Sequence, residues 1–180
     1  MSAGRPGPRR WGWHRLDTAW AARVVADAEV RADQLVLDLG AGTGALSRPL
    51  ADAGARVVAV ELHPGRAEAL RAAVAGRRVT VRTADLLTTP WPVRRFRVVA
   101  NPPYAASSAL VTRLAGCRWL TRADLVLPVA LVQRWRRHPP RGWTARRGLW
   151  LPTEAFRPPA TGEAAVLVLE RDRVRGGRRS

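Results

Sequence analysis

Asn101-Pro102-Pro103-Tyr104 is the stretch of this sequence whose residue types are best suited to chemistry. An amide oxygen and a backbone carbonyl can accept hydrogen bonds from an exocyclic amino group, and an aromatic face can stack on a planar base. Two adjacent prolines fix the backbone between them and cannot continue a sheet ladder. The preceding run, Arg97-Val98-Val99-Ala100, is short, apolar and β-branched, as expected of a buried strand. The tetrapeptide would then leave a strand at its carboxyl end, where open α/β sheets bind ligands. Taken alone, the same residues also read as a strand-ending turn.

Three further groups fall at comparable positions. Gln34 to Leu39 reads as a strand running into Gly40-Ala41-Gly42-Thr43-Gly44, a loop that lets backbone approach a ligand at the amino end of a helix. Glu61 ends the next strand, Arg56 to Val60, 21 residues after Gly40, where a carboxylate can accept both hydroxyls of a ribose. Asp85 follows a third short strand, Val79 to Val81, and can accept from an adenine amino group, with the backbone of Leu86 beside it. Each has a plainer alternative: a simple glycine turn, a solvated acid, a helix cap. A ribose and an adenine without a pyrophosphate fit S-adenosylmethionine as well as a nicotinamide dinucleotide. The Asn-Pro-Pro-Tyr turn favours the former, because hydride transfer has no use for it.

The elements that must carry these groups alternate. A helix is expected from about Asp17 to Ala28, with Ala21, Val24, Val25 and Ala28 on one face and Asp17 or Thr18 as cap. Helices are also expected from Gly44 to Ala53, after Pro64, from Ser107 or Ser108 to Ala115, and on to about Arg137. Further strands are expected at Phe96–Ala100, Leu125–Leu127, Leu149–Leu151 and Ala164–Leu169, with a basic loop from Arg134 to Arg147 carrying Trp135 and Trp143. This alternation predicts an α/β, Rossmann-like, seven-stranded and mostly parallel sheet with helices on both faces. Residues 13–171 form that domain, between a basic arm at 1–12 and a basic tail at 172–180.

The chain of 180 residues holds 31 basic and 14 acidic residues, for a net charge of +17. All of the basic residues are arginine. Such a field favours a polyanion, most simply nucleic acid. The single cysteine, Cys117, excludes an intramolecular disulfide and a multi-cysteine zinc site, and no metal site is expected. No signal peptide or membrane span is evident, so a cytoplasmic protein, most simply a monomer, is expected.

Asp38-Leu39-Gly40-Ala41-Gly42-Thr43-Gly44-Ala45-Leu46, Val60-Glu61, Ala84-Asp85-Leu86-Leu87 and Val99 to Tyr104 together resemble the rRNA adenine-N6 methyltransferases. That family comprises the erythromycin-resistance methylases of 23S rRNA and the 16S rRNA dimethyladenosine transferases. The resemblance continues through Ala155-Phe156-Arg157-Pro158-Pro159 and covers about residues 12–171. Trp11-Gly12-Trp13-His14-Arg15-Leu16 looks like the opening of the short actinobacterial-type erythromycin-resistance methylases. The resemblance implies a class I S-adenosylmethionine-dependent enzyme acting on 23S rRNA, free or in precursor particles, and conferring macrolide-lincosamide-streptogramin resistance. Gly40, Gly42, Gly44, Glu61, Leu62, Asp85, Leu86 and Asn101 would line the cofactor site, with His14 and Leu16 closing over it. Asn101 and the carbonyl of Pro102 would accept from the adenine N6 amine, and Tyr104 and Phe156 would cover the two faces of the flipped base. Phe156 also reads as plain core.

Three departures from the family pattern stand out. The opening is Trp13-His14-Arg15-Leu16 instead of Gln-Asn-Phe-Leu, and Ala160-Thr161-Gly162-Glu163 follows Pro159. The family's carboxy-terminal helical RNA-binding domain is absent from this sequence. RNA contact is therefore expected from Arg9 and Arg10 of the arm, from Arg134, Arg136, Arg137, Arg146 and Arg147, and from the tail. Methylation of 16S rRNA, of DNA or of a protein glutamine, and a non-catalytic rRNA-binding role, are the competing readings.

Overall fold

The computed structural model describes residues 14–172. Its centre is the three runs expected to be buried: β2 (Leu35–Leu39), β3 (Arg56–Glu61) and β5 (Phe96–Ala100). With β4 (Val79–Thr83), β6 (Leu120–Pro128), β7 (Trp143–Leu151) and β9 (Ala164–Arg171) they form one seven-stranded sheet, in the order β4-β3-β2-β5-β6-β9-β7. The first five strands are parallel, β9 pairs antiparallel with β6, and β7 pairs antiparallel with β9 and so runs in the direction of the first five. A second pairing, absent from the sequence reading, joins β1 (Arg15–Leu16) antiparallel to β8 (Phe156–Arg157). It clasps the amino-terminal segment to the chain beyond β7.

Side chains alternate across the sheet, as strand geometry requires. Leu37, Leu39, Val98, Ala100, Leu125 and Leu167 face α4 (Ser107–Ala115) and α5 (Val129–Arg137). Val36, Val57, Val99, Val126 and Val166 face α1 (Thr18–Ala28) and α2 (Ser47–Asp52). The helix α3 (Pro64–Ala73) lies on the α1 side, packing Leu70 against Ala59 and Ala41. Leu37 and Leu39 are almost fully buried, so truncating either to alanine costs about 2–5 kcal/mol. Cys117 is a buried member of the α4 face.

Several boundaries differ from expectation. Asp17 caps α1 as expected, accepting from the Ala19 N–H at 3.0 Å. The helix α2 begins only at Ser47, because Gly40, Gly42 and Gly44 all adopt positive φ and keep the loop irregular until then. Ser107 is the first residue of α4 rather than its cap, and its hydroxyl donates to the Pro103 carbonyl at 3.3 Å. β6 starts five residues earlier than Leu125 because the buried ion pairs of Arg122 and Asp124 interrupt an apolar pattern without interrupting the strand. Of the expected basic loop at 134–147, only residues 138–142 are a loop. Its first part is the last turn of α5 and its second part is β7, an edge strand whose exposed arginines mask its periodicity.

Candidate active site

The chain leaves β2 toward β3 on one side, and β5 pairs on the other. The carboxyl ends of β2 and β5 therefore flank the topological switch point, where doubly wound sheets bind ligands. The glycine loop follows one strand and Asn101-Pro102-Pro103-Tyr104 the other. At Gly40, φ is +80° and a Cβ would sit 3.1 Å from the Pro103 ring, so glycine lets the two segments touch. At Gly44 a Cβ would come within 2.7 Å of Leu70, so glycine also seats the loop on α3.

Asn101 is held in one orientation. Its Nδ2 donates to the His14 carbonyl at 2.8 Å. A carbonyl can only accept, so the amide oxygen must face the other way. The ring of Tyr104, half-buried, lies 6.2 Å from that of His14 and tilted by 34°. Burial pushes the Tyr104 phenol up to about 12. Phe156 is fully buried, packs in the same cluster as Leu16, and meets His14 edge-on at 6.4 Å. The core reading of Phe156 therefore describes this conformation, with His14 against the edge of its ring. The physical reason is the β1–β8 pairing, which sets Leu16 opposite Phe156.

The acids sit at successive strand ends. Glu61 is 3% exposed, so it is no solvated acid. Its Oε2 accepts from the Gly42 N–H at 2.8 Å, and its Oε1 accepts from the His63 N–H at 2.8 Å and from Arg66 Nε at 3.0 Å. Leu62 beside it is 47% exposed, an apolar side chain at the mouth of the site. Asp85 is half-buried and holds its own turn, accepting from the Leu87 N–H at 2.7 Å, while Leu86 packs into the core.

Sequence reasoning quoted Asp38, the penultimate residue of β2, but gave it no role. It is 1% exposed and takes the Ser47 hydroxyl at 2.6 Å. Burial pushes its carboxyl up to about 7, the Ser47 hydrogen bond pulls against this, and nearby Glu61 adds to the rise. Asp38, Gly40, Thr43, Asn101, Arg15 and Leu16 line a cavity of about 20 Å³, room for a single water. A polar residue inside an otherwise apolar run was the available signal. Three carboxylates on consecutive strands, a loop that excludes Cβ atoms and a cationic partner missing at Asp38 fit an adenosine with a positively charged tail. Among the described residues no cluster of His, Cys, Asp or Glu could hold a metal ion.

The RNA-contact residues do not gather at this edge. α5 starts where β6 ends and runs back along the sheet for nine residues, about 14 Å. Arg134, Arg136 and Arg137 therefore sit near the amino edge, while Arg146 and Arg147 line the outer strand between the two edges. All five are exposed. Trp143 is not available for stacking: it is buried, and its Nε1 donates to the Ala115 carbonyl at 3.0 Å. Arg9 and Arg10 lie outside the described residues.

This strand order with the glycine loop at its switch point defines the fold of the class I S-adenosylmethionine-dependent methyltransferases. Residues 15–157 match the ribosomal RNA adenine dimethylase family, an S-adenosylmethionine-dependent enzyme family, and the chain belongs to it. An rRNA methyltransferase of Streptomyces thermotolerans is 33% identical over 167 residues, covering 87% of this chain and 56% of the relative. Ribosomal RNA small subunit methyltransferase A of Leifsonia xyli is 39% identical over 106 residues, covering 55% of this chain and 38% of the relative. The solved structure of the 23S rRNA methyltransferase ErmE is similar with a TM-score of 0.77 and 28% identity, covering 86% of this chain and 68% of that one. The chain thus spans little more than half of the Streptomyces protein and less of the Leifsonia one. Among the described residues no helix is long and apolar enough to cross a membrane.

Proposed function

We propose that this chain methylates the N6 amine of an adenine in 23S rRNA, as a cytoplasmic monomer, and thereby confers macrolide-lincosamide-streptogramin resistance. The observation that carries the reading is the fixed amide of Asn101, its nitrogen tied to the His14 carbonyl and its oxygen free to accept from an amine. When bound, S-adenosylmethionine supplies an electrophilic methyl group on a sulfonium. Glu61 would take the ribose hydroxyls, Asp85 and Leu86 the adenine, and Asp38 the positive charge of the amino-acid end, with Leu62 at the cofactor's base. Asn101 Oδ1 and the Pro102 carbonyl accept the two N–H groups of the target amine and turn its lone pair toward the methyl. Tyr104 stacks on the base that has left its helix. The rate gain is orientation plus electrostatics, with no covalent intermediate on the protein.

The likeness to ErmE supports 23S rRNA as the substrate. A second reading, dimethylation of 16S rRNA, draws on relatives such as the Leifsonia small subunit methyltransferase. The deciding experiment is methyl transfer from labelled S-adenosylmethionine to protein-free 23S and 16S rRNA. The expected result is incorporation into 23S rRNA that falls about a hundredfold or more in Asn101→Ala. Incorporation into 16S rRNA alone establishes the second reading. Absence of any affinity for S-adenosylmethionine sinks both.

A further inference from the structure

The edge of the sheet opposite the candidate active site has a shape and charge that base chemistry does not use. Three open clefts of about 340, 550 and 370 Å³ meet there, and Thr121 lines all three. Gln34 and Arg97 are common to the first two, and Arg95 joins the first to the third. The three are thus branches of one groove along the amino ends of β2, β5 and β6.

Seven arginines and four carboxylates line the groove. Asp33 is engaged by Arg78 at 2.8 Å and Glu170 by Arg122 at 3.1 Å, Asp172 accepts from the Thr144 hydroxyl at 2.8 Å, and the buried Asp124 behind the groove holds Arg97 and Arg122. Glu29 lies 4.0 Å from Arg122. Arg31, Arg94 and Arg95 are exposed, and no carboxylate among the described residues lies within ion-pair distance of them. Val93, 82% exposed, stands beside Arg94 on the same turn. The last turn of α5, with Arg134, Arg136 and Arg137, reaches this edge too, beside Trp143, whose ring carries the Arg171 guanidinium at 4.5 Å. Unpaired guanidiniums in a row, held on a rigid edge, match the spacing-tolerant, sequence-independent recognition of a phosphate backbone.

We propose that this amino-edge groove is a second RNA surface, which grips the backbone of a large folded RNA while the opposite edge takes the base. The proposal rests on the reading of RNA as substrate and specifies its size. The two edges are separated by a five-residue strand, about 17 Å. A stem-loop too short to span that distance leaves the groove empty, whereas a folded rRNA reaches both edges.

The test compares Arg94→Gln/Arg95→Gln with wild type on two RNAs: full-length 23S rRNA and a short stem-loop carrying an unpaired adenine. Binding is read by anisotropy of labelled RNA across a salt series, independently of methyl transfer. Both residues are exposed, so the variant keeps its fold, which its melting temperature verifies. The expected result is affinity for 23S rRNA lowered about tenfold or more at physiological salt, with the salt slope reduced by about two. Affinity for the stem-loop stays unchanged. A control pair of exposed arginines outside the groove lining, Arg23→Gln/Arg82→Gln, removes the same charge and leaves both affinities near wild type. Equal losses on both RNAs, equal losses in the control pair, or no loss overturn the proposal. A wild-type protein that binds the RNAs but transfers no methyl overturns the proposed function instead, and the groove is still decided by the binding difference.

Discussion

Asp38 and Asp124 are both aspartates in the interior of the sheet, 1% and 0% exposed, and they are partnered in opposite ways. Asp124, on β6, takes the guanidiniums of Arg97 at 3.2 Å and Arg122 at 2.7 Å. Arg97 in turn donates to the Ala28 and Glu29 carbonyls at the end of α1, where a positive charge suits the helix dipole. Asp38, on β2, is partnered by neutral groups of Ser47, its hydroxyl and its backbone N–H. Burial raises both carboxyls. At Asp124 two charged partners work against the rise, and at Asp38 the neutral donors of Ser47 do. The difference separates a carboxylate whose counter-charges belong to the fold from one to which the fold supplies none, the one proposed to meet the cofactor's positive charge.

The largest expected effect comes from breaking the self-sufficient network. Asp124→Asn leaves two arginines, each with a side chain no more than 13% exposed, without their shared counter-charge. Removing one partner of a buried pair costs about 3–5 kcal/mol. For a domain of this size that lowers the melting temperature by roughly ten degrees. Affinity for S-adenosylmethionine, measured by calorimetry below the transition, stays at the wild-type value. A melting temperature within a degree or two of wild type would show that the two aspartates do not differ as argued.

Asp38→Asn acts on the other side of the comparison. The folded pKa of Asp38 is about 7, above its ordinary value of 3.8. The fold is therefore favoured below about pH 4, and that advantage is lost as pH rises through about 7. The gap corresponds to at most about 4 kcal/mol. Asp38→Asn should abolish this slope, so that the variant is the more stable protein above pH 7 and not below pH 4. Cofactor affinity shows the reverse. Wild type should bind the positively charged cofactor more tightly as Asp38 ionises through pH 7, and the variant should bind about tenfold more weakly, with no such rise. Thermal melts and titrations across this range read both effects. A variant with the wild-type pH slope would remove Asp38 from the argument.

The contrast also explains what the sequence made legible. Val36, Val57, Val98 and their neighbours sit in plain apolar runs, so the sheet and its order of elements could be read directly. Asn101 and Glu61 end such runs and were equally visible. Asp38 was given no role because its signal, a single acid inside an apolar run, does not say what partners it, and Ser47 lies across a loop. Arg122 and Asp124 hid the start of β6 for a related reason, since adjacent opposite charges look like surface. The pairing of β1 with β8 joins residues 15 and 157 and leaves no local pattern at all.

Tyr104 extends the comparison to a third case, a buried polar group with no partner. Its hydroxyl is shielded and finds no hydrogen bond among the described residues. An unsatisfied buried hydroxyl costs about 1–3 kcal/mol. Tyr104→Phe removes it while keeping the ring that is proposed to stack on the base. Stability should rise by about 1 kcal/mol, or roughly 2–4 °C in melting temperature. Methyl transfer to 23S rRNA should stay within about threefold of wild type, since stacking is a property of the ring face. Its phenol, pushed up to about 12 by burial, stays protonated near neutral pH and sets no part of the pH profile there. A variant that gains stability but loses transfer would instead assign the hydroxyl to the substrate, the polar partner that the folded chain does not supply.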